Sequence, residues 1–281
     1  MILYVFIATV CLYSVAKLYK YVDLYLKIKF HEKTNNSVVI ILYDGDEEVN
    51  NKTSNTLFIL YNIYKTLSIK LSKFLTPSVI NIDLYDDFLK KYSTIPRYKR
   101  IDLILHSNGS FVKSGDIIVN CLFNHYGPIH TYILRYANSA ATEIALCSNN
   151  ISMNSYASLG PCDVQLPLGQ ERWSYQELSE MVHERKKDDA ISELALITKI
   201  NGEKVSDHCY QQMCAILKKF HPYITNEGVK DNILEHLVTG KEHDHDEVFN
   251  VQFLLSLGFR INVGMSVTIQ KIFSSFVGLL L

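Results

Sequence analysis

Residues 129–147, IHTYILRYANSAATEIALC, contain the pattern that decides the fold and the candidate site. The first half of this stretch is an apolar strand pattern that ends at Ala137 and Asn138. Ser139 then opens a run of small residues, 140–142, that leads into a helical pattern. Small residues at such a junction let the backbone approach a substrate closely. A serine at the start of a helix is also a common N-cap, so capping is the alternative interpretation of Ser139.

Two neighbouring stretches also carry strand patterns that end in turns. Residues 100–110, RIDLILHSNGS, run from an apolar strand pattern into a turn that contains Gly109, and a helix is predicted from near Lys113. Such a turn can present backbone N–H groups at the mouth of a helix, where an oxyanion is stabilised. Residues 151–166, ISMNSYASLGPCDVQL, are a short strand pattern followed by a Leu-Gly-Pro turn. We expect this turn to form a rigid side of the site, next to the first two loops.

Apolar and amphipathic stretches alternate along most of the chain. Residues 38–43 predict a strand, and apolar residues at helical spacing predict a helix within 56–75. From VINIDLY onward, strand patterns and helical patterns follow one another. Strands that alternate with helices indicate βα units and a mostly parallel, buried sheet.

The composition describes a folded protein without a nucleic-acid-binding surface. The chain has 281 residues, of which 48% are hydrophobic and 20% are charged, and its net charge is −1. This balance is globular and far from disordered. Because lysine and arginine are spread along the chain, there is no basic region to bind phosphates, and nucleic acid is excluded as an expected partner.

The six cysteines and the histidine-rich segment do not predict a metal site. The cysteines show no CxxC spacing, which favours reduced, buried thiols over disulfides or zinc ligands. His243 and His245 alternate and could share one face of a strand, but their spacing brings no third ligand. We therefore expect no metal and no cofactor.

The N-terminus predicts a membrane anchor. Residues 1–16 carry no charge, and Lys17 and Lys20 follow at once. If these lysines snorkel, the apolar segment extends enough to span a bilayer, so we expect a single-pass anchor over residues 1–24. The positive charge that follows predicts a cytoplasmic catalytic domain. A cleaved signal ending at the small-x-small run 14–16 and a buried helix are the alternatives.

Four stretches in register resemble the serine dehydrogenase proteinase family, a relative of signal peptide peptidase A within the Clp/crotonase fold. LHSNGS at 105–110 corresponds to a family stretch of the type LHTPGG, and YANSAATEIAL at 136–146 to YAMSGGTLIAL. MNSYASLGPCDVQL at 153–166 corresponds to MDPHAVLGPVDPQL. A later Thr-Gly-Lys, a His-Asp pair and a Leu-Gly lie within 239–258. The resemblance covers roughly residues 80 to 275.

The resemblance implies an α/β fold of the Clp/crotonase type. This fold is a superhelix of βα units with a mostly parallel sheet, here preceded by the N-terminal transmembrane helix. The expected organisation is an anchor over 1–24, a linker and accessory region over 25–75 and a peptidase domain over 76–281. The implied function is that of a serine endopeptidase acting on polypeptides, and the expected state is a homo-oligomer.

The resemblance also implies a nucleophile and an oxyanion hole. Ser139 takes the place of the family nucleophile, and the backbone N–H groups of Gly109 or Ser110 and of Ala140 would hold the oxyanion. The family has paired glycines at both places, whereas this chain has Gly109-Ser110 and Ala140-Ala141. Serine and alanine keep the backbone N–H donors, although they do not share the backbone freedom of glycine.

The proton acceptor for Ser139 is expected to be a lysine. Clp-type enzymes place a histidine after the second strand, and residues 131–182 contain none. Relatives of signal peptide peptidase A use a downstream lysine whose pKa is lowered by burial. Here the candidates are Lys187 first, Lys186 second and His183 as a further possibility; a solvated charged helix face is the alternative for these lysines.

Two other functions are compatible with the same fold. The altered glycines would suit a catalytically inactive scaffold or binding protein that keeps the fold. A crotonase-type acyl-CoA enzyme would share the oxyanion geometry without needing a nucleophilic serine. Labelling of Ser139 by a serine-reactive probe would argue against the first, and binding of a CoA thioester would reveal the second.

Overall fold

A mostly parallel β-sheet runs through the protein, and the computed structural model describes residues 2–43, 79–80, 85–168, 171–185, 193–239 and 247–280. The strands are β1 (Ser37–Tyr43), β2 (Val79–Ile80), β3 (Arg100–Ser107), β4 (Ile129–Ala137), β5 (Asn150–Met153), β6 (Ser158–Leu159), β7 (Gln165–Leu168), β8 (Glu171–Ser174), β9 (Phe249–Asn250) and β10 (Ile261–Val263). The main sheet has the order β10-β5-β4-β3-β1-β2, with parallel pairing throughout. β6 joins β4 in parallel and β9 in antiparallel, while β7 and β8 form a separate hairpin.

Helices cover both faces of this sheet. They are α1 (Ile2–Asn35), α2 (Tyr85–Ser93), α3 (Val112–Phe123), α4 (Ala140–Leu146), α5 (Tyr175–Arg185), α6 (Glu193–Phe220), α7 (Glu227–Leu234), α8 (Val251–Ser256) and α9 (Val267–Leu280), with a π-helical turn at Glu235–Thr239 after α7. α1 and α9 pack on one face, and α3 to α8 contribute to the larger core on the other face. The predicted α/β class with a mostly parallel sheet is confirmed.

The central strands are apolar along their length because both of their faces are buried. In β1, Ile40 and Leu42 point into the larger core, whereas Val39 and Ile41 point into the core under α1 and α9. A strand buried on both faces produces a continuous apolar run instead of an alternating one. The run at 38–43 therefore predicted a strand, and the structure shows it as Ser37–Tyr43.

Helix α1 contains the segment predicted to be a membrane anchor. Its second half packs against α9 and the sheet, with Leu24 and Ile28 almost fully buried. Lys27 Nζ lies 2.5 Å from Asp23 Oδ2 and 2.7 Å from Ser275 Oγ of α9. Across the described ranges, no helix combines the length and the apolarity needed to cross a bilayer. The expected transmembrane helix over residues 1–24 is therefore not confirmed.

Part of the predicted linker and accessory region lies inside the sheet. β1 falls within residues 25–75 and pairs with β3 from Ser37 opposite Arg100 to Tyr43 opposite His106. The helix predicted within 56–75 lies outside the described residues. Residues 25–43 thus form the end of α1 and strand β1, which lies between β3 and β2 in the main sheet.

A buried ionic cluster connects α1 to the sheet. Asp102 on β3 is fully buried, and its two carboxylate oxygens contact His31 Nε2 at 2.9 Å and Arg100 Nε at 2.9 Å. Burial alone would raise the pKa of Asp102, but the hydrogen bonds with His31 and Arg100 outweigh it and lower the pKa. The ionised carboxylate therefore stabilises the docking of α1 on β3.

Candidate active site

Three loops meet at the carboxyl ends of β3, β4 and β6. The backbone N–H of Asn138 donates to Ser107 O at 3.0 Å, which joins the loop after β4 to the end of β3. The N–H of Ser139 donates to Pro161 O, and the N–H of Gly160 donates to Ala137 O, both at 3.0 Å. The structure thus brings together the three stretches that the sequence analysis selected.

Ser139 has an unusual backbone conformation at the junction of β4 and α4. Its φ is 52° and its ψ is −130°, and it is one of two described non-glycine residues with positive φ, beside Asn36. Such a conformation costs about 1–3 kcal/mol and occurs preferentially at functional sites. The Ser139 side chain makes no capping hydrogen bond to α4. The alternative interpretation of Ser139 as an ordinary N-cap therefore fails.

Gly109 faces Ser139 at a distance that requires glycine. Its φ is +113°, and a Cβ placed on it would lie 2.8 Å from Ser139 Cβ and 2.9 Å from Asn138 O. The N–H of Gly109 donates to Ser107 Oγ at 3.0 Å. Gly109 therefore gives the Ser139 side chain its space, while its own N–H is already used inside the turn.

Small residues let α3 and α4 approach each other closely at this site. A Cβ on Gly115 of α3 would lie 2.8 Å from Ala140 Cβ, the first residue of α4. Ala140 and Ala141 are buried. The run of small residues after Ser139 thus has a packing role in addition to leaving the backbone open to a substrate.

A cleft of about 500 Å³ opens at these loops. Ser139, Ala140, Gly109 and Ser110 all line it, so the predicted nucleophile and the three predicted oxyanion residues share one site. Of the predicted proton acceptors, Lys186 and Lys187 lie outside the described residues, as do His243 and His245. His183 is exposed on α5, and among the described residues that line the cleft none is a lysine or a histidine.

Glu143 is an ionisable cleft residue that was not predicted from the sequence. It lies on α4 four residues after Ser139, lines the cleft and is only 5% exposed. Its Oε2 accepts a hydrogen bond from Gln212 Nε2 at 2.9 Å. Burial raises the pKa of Glu143 to about 8, against the opposing effect of this hydrogen bond. A glutamate inside the apolar run AATEIALC was the available sequence signal.

The cysteines around the cleft are not candidate nucleophiles. Burial raises the pKa of Cys209, which lines the cleft, to about 12, and it raises the pKa of Cys162 well above its usual value. The Cys162 thiol also donates to Leu237 O at 3.0 Å. Since only a thiolate is strongly nucleophilic, neither cysteine replaces Ser139 as the candidate nucleophile.

A serine at positive φ on a strand-to-helix junction of an α/β fold, with a glycine turn opposite, resembles the nucleophile site of serine hydrolases. The family described as ClpP-like SDH-type serine proteinase matches residues 15–276. The chain belongs to this family, which confirms the resemblance drawn from the four stretches.

Proteins similar to this chain include two from an archaeon and one of known structure. Uncharacterized protein MJ0137 of Methanocaldococcus jannaschii is 33% identical over 42% of this chain and 41% of its own length. Uncharacterized protein MJ1495 of the same organism is 27% identical over 71% of this chain and 63% of its own length. The chain thus spans less than two thirds of either relative. A mutant of the 1510-N membrane-bound stomatin-specific protease matches with 14% identity and a TM-score of 0.42, covering 84% of each chain.

Proposed function

We propose that this protein is a serine endopeptidase that hydrolyses polypeptides through an acyl-enzyme on Ser139. The observation that carries the proposal is the positive φ of Ser139 at the mouth of the cleft, opposite Gly109. The Ser139 oxygen attacks the carbonyl carbon of a peptide bond, and its proton passes to a base and then to the leaving amine. Water next hydrolyses the ester, which releases the acid product and restores the serine.

The oxyanion hole in this proposal consists of the backbone N–H groups of Ala140 and Ser110. Both residues line the cleft beside Ser139. Gly109 was an equal candidate in the sequence, but its N–H donates to Ser107 Oγ. Its contribution in this proposal is the space it leaves for the Ser139 side chain. Preorganised N–H donors of this kind stabilise the charge that develops in the transition state.

The base in this proposal is a lysine, Lys187 before Lys186. Its support is the family membership together with the lack of a lysine or histidine among the described residues of the cleft lining. Burial next to Ser139 would have to lower the lysine pKa toward neutrality, since an exposed ammonium at pH 7 is about a thousandfold too protonated to serve as a base.

Covalent labelling tests the nucleophile directly. A fluorophosphonate probe is expected to add to Ser139 in the wild type, with the modified peptide located by mass spectrometry. Ser139→Ala should lose both the label and the hydrolysis of a casein substrate. Ser155→Ala, which changes an exposed serine in the turn after β5, should keep both. Unchanged labelling of the Ser139→Ala protein would remove Ser139 from the mechanism.

An inactive binding protein is the second candidate function. The observation in its favour is again the cleft lining, which lacks a lysine and a histidine among its described residues. A protein of this kind would bind peptides in the cleft and would not be labelled by a fluorophosphonate. Its Ser139→Ala variant would be as stable as the wild type. Labelling and peptide binding measured on the same sample separate the two functions.

Attachment to a membrane and self-association are further proposals. The uncharged residues 1–16 support attachment, with the remainder of the chain on the cytoplasmic side. Family membership supports a homo-oligomer, and light scattering of the purified protein after size-exclusion chromatography measures it. A monomeric mass across the working concentration range would rule out self-association.

A further inference from the structure

Glu143 combines deep burial with an unsatisfied carboxylate oxygen. Its Oε2 accepts the hydrogen bond from Gln212 Nε2 at 2.9 Å, but its buried Oε1 has no hydrogen-bond partner among the described residues. Leaving a buried polar atom without a partner costs free energy, and such an atom in a cleft points to a ligand. Because Oε1 has no partner, it also makes no hydrogen bond to Ser139, so Glu143 is not the base for Ser139 in this geometry.

A second buried carboxyl group also lines the cleft. Asp163 is 4% exposed, and its carboxylate accepts a hydrogen bond from Gln165 Nε2 at 2.7 Å. Arg172 of β8 lines the same cleft with an exposed side chain and forms no ion pair with Glu143. Within the described part of the chain, the cleft therefore carries two buried carboxyl groups, and its one basic residue is exposed.

The groups around Glu143 favour a cation as the ligand of its carboxyl. Asp116 on α3 is half-buried, and its carboxylate adds negative potential near Glu143 although it lies 3.2 Å from His208 Nε2 of α6. Cys209 on α6 and Cys147, which caps the C-terminus of α4, stay protonated because burial raises their pKa values. A substrate ammonium or guanidinium group would satisfy Oε1 with a charge-assisted hydrogen bond and would offset the desolvation of an ionised carboxylate.

We propose that Glu143 is the specificity residue of the cleft and binds a lysine or arginine side chain of the polypeptide substrate next to Ser139. The polypeptide nature of the ligand rests on the proposed function. The inference that Glu143 has an oxygen left to bind a ligand does not depend on that function. It rests on the burial of Glu143, the hydrogen bond that it accepts from Gln212 and its position in the cleft lining.

Peptide binding to the full-length Ser139→Ala protein tests this inference without requiring turnover. The probes are three fluorescein-labelled, capped pentapeptides of alanine whose central residue is lysine, norleucine or glutamine. Fluorescence anisotropy is expected to give a dissociation constant about tenfold or more lower for the lysine peptide than for the norleucine peptide. Adding Glu143→Gln should bring the two constants together, whereas adding Glu193→Gln, at an exposed position at the start of α6, should keep them apart. Thermal unfolding checks that both variants are folded.

Equal affinities for the lysine and norleucine peptides would overturn the inference. So would a lysine preference that persists in the Glu143→Gln protein, or tighter binding of the glutamine peptide, which would identify Glu143 as a neutral hydrogen-bond donor. A second measurement separates this result from the proposed function: diphenyl phosphonates of lysine and norleucine peptides are reacted with the wild type. A lysine preference in binding without any phosphonate adduct would support the subsite and count against the acyl-enzyme.

Discussion

Gly109 and Ser139 approach each other so closely that no side chain fits between them. A Cβ on Gly109 would lie 2.8 Å from Ser139 Cβ and 3.4 Å from Ser139 Oγ. The two residues come from different strand ends, and both have positive φ. The strained conformation of one residue and the missing side chain of the other together set the position of the Ser139 hydroxyl.

Gly109→Ala is therefore expected to abolish labelling of Ser139 by a fluorophosphonate. The new methyl group must displace Ser139 or the Asn138 carbonyl, and alanine is strained at a φ of +113°. Together the strain and the overpacking should lower the free energy of unfolding by about 2–5 kcal/mol. Urea denaturation measures the stability, and the labelling rate measures the site.

Gly264→Ala is the matched control for the effect of backbone strain. Gly264 has a φ of +97°, but nothing lies within 4 Å of a Cβ placed on it. This variant should lose only about 1–2 kcal/mol and should label at the wild-type rate. If Gly109→Ala labelled as fast as Gly264→Ala, the close approach to Ser139 would have no role in positioning the nucleophile.

The parts of the fold that could be predicted from the sequence are those specified locally. The apolar run at 38–43 and the helix predicted from near Lys113 agree with β1 and with α3, which begins at Val112. The position of Ser139 at a strand-to-helix junction was also local information, because a strand pattern, one polar residue and a run of small residues are consecutive. Its positive φ was not predictable, since it depends on the packing of Gly109 and Pro161 around it.

The features that the sequence could not reveal depend on residues far apart in the chain. Glu143 and Gln212 are separated by 69 positions, and His31 and Asp102 by 71. No local pattern indicates that α6 covers α4 or that α1 returns to β3. Residues 25–35 of α1 were expected to belong to the linker that follows the anchor; instead Ile28 is buried against α9 and the sheet.

Replacing the base is expected to affect Ser139 as strongly as replacing Ser139 itself. Lys187→Met should reduce fluorophosphonate labelling and casein hydrolysis to the level of Ser139→Ala, because members of one catalytic unit do not contribute additively. Lys186→Met is the second candidate, and Lys204→Met, an exposed position on α6, is the control. If both lysine variants kept the wild-type rates of labelling and hydrolysis, His183 would be the remaining candidate base, or the protein would have a non-catalytic function.

The ionic cluster at Asp102 should contribute to stability across the neutral pH range. Asp102→Ala leaves Arg100 and His31 without their buried partner, so the free energy of unfolding at pH 7 should fall by about 3–5 kcal/mol. Because the pKa of Asp102 is lowered in the folded protein, its stabilisation exists above the unfolded pKa, near 4, and is lost as the pH falls below it. Glu227→Gln, which breaks the exposed pair with Lys230, should cost less than about 1 kcal/mol. Similar losses in the two variants would contradict a structural role for the cluster.

Removing the uncharged N-terminal residues tests membrane attachment without cutting the core. A chain that lacks residues 1–16 keeps Leu24 and Ile28, and it keeps Lys20, whose Nζ donates to Gly278 O at 2.6 Å. The full-length protein is expected in the membrane pellet after alkaline carbonate extraction, and the shortened protein in the supernatant. Recovery of the full-length protein in the supernatant would eliminate the anchor.

Glu143 should make the protein less stable as the pH rises. Its carboxyl has a pKa of about 8 in the folded protein, against 4.5 as the ordinary value. Between these two values the folded protein holds a proton that the unfolded chain releases, so the free energy of unfolding falls from pH 4.5 to about 8 and is flat above. Glu143→Gln keeps an acceptor for Gln212 but removes this titration.

The variant should therefore gain stability relative to the wild type by on the order of 3 kcal/mol between pH 5 and pH 8.5. Urea denaturation at several pH values measures this difference, in which other titrating groups cancel because both proteins share them. Glu193→Gln, at an exposed position at the start of α6, is the control, and its stability should run parallel to that of the wild type over this range. Parallel curves for Glu143→Gln and the wild type would show that folding does not raise the pKa of the Glu143 carboxyl.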